Sequence, residues 1–235
     1  MQVQESDFIR KFYQRVVPEK WRSRLYNAPL MQGIRESIRH DADDMPYVLL
    51  QERHIANLTT VLNRNALLSQ LPEGAMAAEI GVNRGDFSER IFTYAKPRQL
   101  HLVDIWDSER YHEGLMHHVT TRFADQIADS TVVIHRGYST EMLQTFDDQF
   151  FDWVYIDTDH TYQTTASELR LASKKVKPEG LILGHDYTTG DWKMRNRYGV
   201  VEAVNEFCVN YDYEFIYMTH ETHRHCSYAI RKILD

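Results

Sequence analysis

The spacing of hydrophobic positions along this chain changes near residue 75. Before that point apolar and aromatic residues recur three or four apart, as at Phe8, Phe12, Tyr13 and Val16, the interval that lines one face of a helix. The segment from Pro46 to Gln70 carries the longest such stripe, through Val48, Leu49, Ile55, Leu58, Val61, Leu62 and Leu67, and Leu71-Pro72-Glu73-Gly74 stops it. After residue 75, short apolar runs at 76–80, 100–104, 131–135, 152–156 and 180–184 alternate with helical windows, the clearest from Tyr162 to Lys175. Apolar strands separated by helices predict a parallel sheet covered on both faces. A helix over Gly199 to Val209 follows. Tyr213 to Thr219 and Ser227 to Ile233 then read as strands joined by a polar, histidine-containing turn, a hairpin that sets an antiparallel strand in the sheet. The expected organisation is a helical N-terminal extension over 1–72 and an α/β domain over 73–235. The extension's stripe suits packing against the sheet, a substrate lid or a dimer face.

At 235 residues with 43% hydrophobic content, the chain can bury one sizeable core. Its net charge of −7 argues against a general nucleic-acid binder, which needs clustered Lys and Arg. Cys208 and Cys226 are too few for a disulfide framework, so a cytoplasmic location is expected. No apolar run reaches membrane-spanning length, and Met1 to Asp7 lacks the blocks of a secretion signal. The expected partner is therefore a small molecule, with neither nucleic acid nor membrane, and homo-oligomer formation stays open.

The chemistry concentrates in two places. The first is Ala77-Ala78-Glu79-Ile80-Gly81-Val82-Asn83-Arg84-Gly85-Asp86, followed by His101-Leu102-Val103-Asp104-Ile105. It reads as strand, glycine turn, helix, strand, acid. The glycines let backbone approach a ligand closely, and a carboxylate about 20 residues later can accept bonds from both ribose hydroxyls of an adenosine cofactor. Gly81 and Gly85 do not complete G-x-G-x-x-G, because Asn83 stands where the middle glycine would fall. Glu79 beside the turn suits the cationic S-adenosylmethionine (SAM) and would repel a pyrophosphate. Asp104 is expected at an exposed strand end, replaceable without loss of the fold.

The second place is Asp157-Thr158-Asp159-His160-Thr161-Tyr162, where the fourth strand ends, with His185-Asp186-Tyr187 where the fifth ends. Ligands of open α/β sheets bind at such carboxyl ends. Carboxylates and imidazoles from adjacent strand ends could form an open divalent-metal site. Asp159 also suits helix capping, and Asp157 also suits cofactor contact.

On these motifs, together with Lys177-Pro178-Glu179-Gly180, residues 75 to about 205 resemble the class I SAM-dependent methyltransferases. Within them the chain looks like the small-molecule O-methyltransferases with a D-x-D-H-x-Y turn after strand four and a G-H-D-Y or D-D-Y turn after strand five. The resemblance implies a Rossmann-like sheet and methyl transfer to a hydroxyl of a sugar-bearing or polyhydroxylated metabolite. It implies that Glu79, Gly81, Arg84 and Gly85 cradle the methionine part of SAM, that Asp104 and Ile105 hold the ribose, and that Tyr138 and Ser139 meet the adenine. It further implies Mg²⁺ or another divalent ion on Asp157 and Asp186, with His185 as the third ligand, and Asp159 as base with His160 the second candidate. His185 stands where some relatives carry an acid, which favours a transition metal over Mg²⁺. The rival readings are a NAD(P)-dependent oxidoreductase on the same kind of sheet and a non-catalytic SAM-binding protein. Two further features are the basic and aromatic loop Thr188 to Gly199, with Trp192 suited to stacking on a sugar, and the tail His220 to Cys226. The tail's spacing matches no standard zinc module, so it reads as a polar turn.

Overall fold

The computed structural model describes residues 45–107, 112–191, 196–221 and 225–234. The periodic positions before residue 45, and with them most of the expected N-terminal extension, lie outside the described residues. Eight strands form one sheet: β1 (Thr59–Val61), β2 (Met76–Ile80), β3 (Gln99–Asp104), β4 (Val132–Arg136), β5 (Phe151–Ile156), β6 (Val176–Gly184), β9 (Tyr213–Thr219) and β10 (Tyr228–Lys232). Their order is β1-β9-β10-β6-β5-β2-β3-β4, while β7 (Gly190–Asp191) and β8 (Asn196–Arg197) pair as a separate ribbon. The pairings β6-β5, β5-β2, β2-β3 and β3-β4 are parallel. Strand β10 runs antiparallel to both β6 and β9. This is the Rossmann-like, mostly parallel α/β sheet with a C-terminal antiparallel hairpin that the sequence pattern predicts.

The helices among the described residues are α1 (Arg64–Leu68), α2 (Asp86–Tyr94), α3 (Glu113–Arg122), α4 (Ala124–Ala128), α5 (Ser139–Thr145), α6 (Tyr162–Lys175) and α7 (Val200–Tyr211). Alternating side chains of each central strand enter one of two cores. Ala78, Ile80, Val154, Ile156 and Ile182 pack with Leu169 of α6 and with Val204 and Phe207 of α7. Ala77, Leu102, Trp153, Tyr155 and Leu183 pack with Leu67 and Leu68 of α1, Ile91 of α2 and Val119 of α3. Because both faces are covered, these strands read as unbroken apolar runs in the sequence.

The segment Pro46 to Gln70 departs from the expected long helix. It holds a single turn at Glu52–His54, the three-residue strand β1 paired parallel with β9, and the short helix α1. Thr59, Thr60 and Val61 are β-branched and favour the extended state. Asn63 then caps α1 by accepting the Ala66 amide at 3.0 Å. The apparent stripe is not a buried face, since Leu49, Ile55 and Leu62 are exposed while Leu67 is fully buried.

Hydrogen bonding continues one residue past three strand ends. The Gly81 amide donates to the Val103 carbonyl at 2.8 Å, Asp157 to Ile80 at 2.8 Å, and His185 to Ile156 at 3.1 Å. The turns after β2, β5 and β6 therefore stay in register with one another along the carboxyl edge.

A pair of stacked histidines lies under β3 and β4. The His101 and His135 rings are 5.1 Å apart and 17° from parallel, with ring nitrogens 2.9 Å apart, and Phe146, Phe150 and Phe151 present their edges to His101. Burial, reinforced by His135, pulls His101 from the ordinary 6.5 down to about 4. The unfolded chain therefore takes up a proton that the folded chain refuses, so stability should fall as the pH drops from about 6.5 toward about 4. His101→Phe keeps a ring and removes the proton site. Urea unfolding across that range should show a flatter pH dependence in this variant, and an unchanged slope would place the acid sensitivity elsewhere.

Candidate functional site

Strand β2 ends at Ile80 and the chain turns through Gly81, Asn83 and Gly85, with φ of 93°, 55° and 79°. Gly81 has a steric reason beyond its positive φ, because an ideal Cβ there would fall 1.9 Å from the Asp157 carbonyl oxygen. The loop is held from β3. Asp104 Oδ2 accepts the amides of Val82 and Asn83 at 2.9 and 2.8 Å, and Oδ1 accepts the Trp106 amide at 3.1 Å. The fully buried Trp106 donates its indole N–H to the Asn83 carbonyl at 2.8 Å. Asp104 thus shapes the glycine loop, and the expectation that it lies at an exposed strand end and can be replaced without cost to the fold is corrected.

Glu79 is 1% exposed and accepts a short hydrogen bond from the Ser88 hydroxyl of α2. Burial lifts it to about 8 against the opposing effect of that bond, so at neutral pH it holds a proton within the fold. Arg84 is exposed and pairs with Asp86 at 3.2 Å. Ile105 follows Asp104, half-buried. The turn before α5 is tied to the same strand end by the Gly137 amide, which donates to the Asp104 carbonyl at 3.0 Å. Tyr138, 61% exposed, and Ser139 follow it there.

Next to this loop, the ends of β5 and β6 bring four expected residues together. His160 Nε2 lies 2.6 Å from Asp186 and 3.3 Å from Asp157, and His185 Nδ1 lies 3.1 Å from Asp186 and 3.7 Å from Asp157. His160 and Asp186 take positive φ, 64° and 57°, to point inward. A fifth group, His225, arrives from just before β10, and its Nδ1 makes a short contact with the other Asp186 oxygen. Burial would raise Asp186, yet hydrogen bonds from His160 and His185, and their charge, hold it far below the ordinary carboxylate range. Burial likewise opposes ionisation of Asp157, which the His160 bond and the charges of His185 and Arg64 overcome. His160 is pulled down by burial but raised to about 9 by its bonds to the two carboxylates.

The reading of Asp159 as base meets a competing use of both its oxygens. Asp159 Oδ1 accepts the Thr161 amide and hydroxyl at 2.9 and 3.0 Å, and Oδ2 accepts the Thr164 hydroxyl at 2.8 Å. It buttresses Thr161, which caps α6. Arg64 of α1 was not anticipated. Its guanidinium lies 3.8 Å over the Phe87 ring and donates to Tyr155 Oη and to Asp157 Oδ2, each at 3.0 Å. Tyr155 Oη in turn meets Ser227 Oγ at 2.9 Å. No local motif marks Arg64, because its partner lies 93 residues away. Trp192 and its neighbours through residue 195, and residues 222–224 of the tail, lie outside the described residues.

Residues 78–187 match the sequence model of a methyltransferase domain, a span running from β2 through the Asp186 turn. No relative was found among curated sequences. Among solved structures the chain is similar to a protein from Clostridium thermocellum assigned as an rRNA methylase, at 17% identity over 74% of this chain and 100% of that one, with a TM-score of 0.55. A protein from Streptococcus mutans assigned as a methyltransferase and solved with SAH aligns at 11% identity over 72% and 95% of the two chains, with a TM-score of 0.53. The tRNA methyltransferase TrmK from B. subtilis aligns at 13% identity over 74% and 67%, also with a TM-score of 0.53. The chain has the fold of the class I SAM-dependent methyltransferases.

The Asp104 geometry gives a direct test. Asp104→Ala leaves three backbone amides without their acceptor, so the ligand-free protein should lose about 1–3 kcal/mol of unfolding free energy, measured by denaturant titration. Unchanged stability would mean that the loop holds its shape without the carboxylate.

Proposed function

We propose that the chain transfers the methyl group of SAM to a hydroxyl oxygen of a small molecule. The Gly81–Gly85 loop and Asp104 serve the cofactor, and Asp157, His160 and Asp186 serve the acceptor. The observation that carries this reading is the meeting of the two halves at Asp157, whose carbonyl packs on Gly81 while its carboxylate faces His160.

Methyl transfer is an in-line displacement: the acceptor oxygen bonds to the methyl carbon as the carbon–sulfur bond breaks, which leaves a neutral thioether and frees the hydroxyl proton. Holding oxygen and carbon in line supplies most of what an enzyme can contribute to such a step. Two ionised carboxylates at the acceptor side favour the cationic sulfonium. As the carbon–oxygen bond forms, the oxygen becomes a strongly acidic oxonium, so even a carboxylate well below its ordinary range can take the proton. His160 carries its own proton at neutral pH and holds Asp157 and Asp186 at fixed separation. This assigns proton removal to the Asp157–Asp186 pair and a capping role to Asp159.

The net charge of −7 supports a small acceptor over RNA, although the fold neighbours include an rRNA methylase assignment and a tRNA methyltransferase. Calorimetry should show binding of SAM and none of NAD(H). Labelled SAM offered with a panel of small hydroxyl compounds and with bulk tRNA and rRNA should label the small molecules; label on RNA would overturn the acceptor class. Asp157→Asn should lower turnover by about 10² to 10⁴. Asp159→Asn should change turnover only a few-fold and lower stability by about 0.5–1.5 kcal/mol through the weakened α6 cap. The opposite ranking of these two variants would return the base to Asp159.

A further inference from the structure

We propose that Asp157, His160 and Asp186 bind a divalent transition-metal ion, with His225 holding the other oxygen of Asp186, and that this site discriminates against Mg²⁺. The inference deepens the acceptor-side reading and rests on it for its role in the reaction: an ion there would take the place of the His160 proton, and Asp157 and Asp186 would then hold the ion rather than remove the acceptor proton themselves. One donor atom from each of Asp157, His160 and Asp186 lies within 4.8 Å of the other two. Donors bonded to one ion at about 2.0–2.2 Å sit roughly 3 Å apart. The 2.6 and 3.3 Å separations of His160 Nε2 from the two carboxylates bracket that spacing.

Donor chemistry decides the kind of ion. Mg²⁺ takes oxygen ligands and keeps much of its water, whereas imidazole nitrogen suits Zn²⁺, Fe²⁺, Co²⁺ and Ni²⁺. The Mg²⁺ of the resembled enzymes does not fit here, because the positions around Asp186 are taken by nitrogens of His160, His185 and His225 rather than by further carboxylates. Arg64 already occupies Asp157 Oδ2, which leaves Oδ1 toward His160. Tyr198 sets two of the rings, stacking on His160 at 4.7 Å and meeting His225 edge-on at 5.6 Å. His185, on the second side of Asp186 Oδ2, orients that carboxylate, the usual part of a group just outside a metal's ligands. Asp157, His160 and Asp186 come from the ends of β5 and β6 that the sequence motifs mark, whereas His225, from the tail before β10, falls in neither motif.

The test uses the full chain stripped with a chelator and titrated with Co²⁺, whose visible absorption reports its ligands. The expected result is one Co²⁺ bound per chain, with the spectrum unaffected by a ~100-fold excess of Mg²⁺. His160→Gln and His225→Gln should each weaken Co²⁺ binding by about 10- to 100-fold and shift the bands. His160→Asp should move the preference toward Mg²⁺. If His160 variants fail to fold, His225→Gln decides the matter, because that side chain is 29% exposed and glutamine keeps a hydrogen-bond donor for Asp186. No Co²⁺ uptake, a preference for Mg²⁺, or unchanged uptake in the histidine variants would each overturn the site, the last by placing the ion on other histidines. SAM calorimetry on the same samples separates the two readings. SAM binding without Co²⁺ uptake removes the metal and leaves methyl transfer standing, and Co²⁺ uptake without SAM binding does the reverse.

Discussion

The backbone at Gly81 and the carbonyl of Asp157 occupy space that no side chain could share. This contact is possible because β2 and β5 are neighbours in parallel register, with Ile80 opposite Ile156, and because Gly81 adopts φ of 93° without strain. From it follow both the exit of the glycine loop toward Asp104 and the point at which the Asp157 turn leaves the sheet. The Asp157 amide donates to Ile80, and the His185 amide to Ile156, so the β6 turn inherits the same position. The cofactor side and the acceptor side of the edge are thereby one piece of backbone.

On that frame the site is organised by charge. Asp186 is nearly buried, and an uncompensated carboxylate there would be costly. The imidazoles around it supply the compensation, while Arg64 does the same for Asp157. Arg64 is itself anchored through Tyr155 to Ser227. Polar contacts therefore run from α1 through β5 to the start of β10, and removal of a charged partner leaves another charge buried without relief.

The sheet was legible because its central strands bury both faces, so that runs such as Leu100–Asp104 and Phe151–Ile156 stand out without tertiary information. Strand β1 was not, since three edge residues are too short to show alternation and the surrounding leucines happen to recur at helical intervals. At the site, Asp157, His160, His185 and Asp186 were placed correctly at the carboxyl edge because strand ends locate them. Asp159 suits both a base and a helix cap in the sequence, and the choice between them lies in the contacts of its two oxygens with Thr161 and Thr164, which a side chain three residues past a strand does not announce. His225 and Arg64 reach their partners across 39 and 93 residues. Only the pairing of β10 and the packing of α1 bring them there.

Strand β10 is the one that runs against its neighbours in the centre of the sheet, with Tyr228 opposite Gly184. In a parallel strand the residues at this edge come last, whereas in β10 they come first, so His225 and Ser227 reach the edge before the strand that anchors them. Every other group at the edge precedes them in the chain. During vectorial synthesis the cofactor loop and the two aspartate turns therefore emerge first, with Asp186 still lacking one of its imidazoles. The centre closes only when the tail inserts between β6 and β9. Completion of the site is thus timed by the last strand of the sheet to be synthesised.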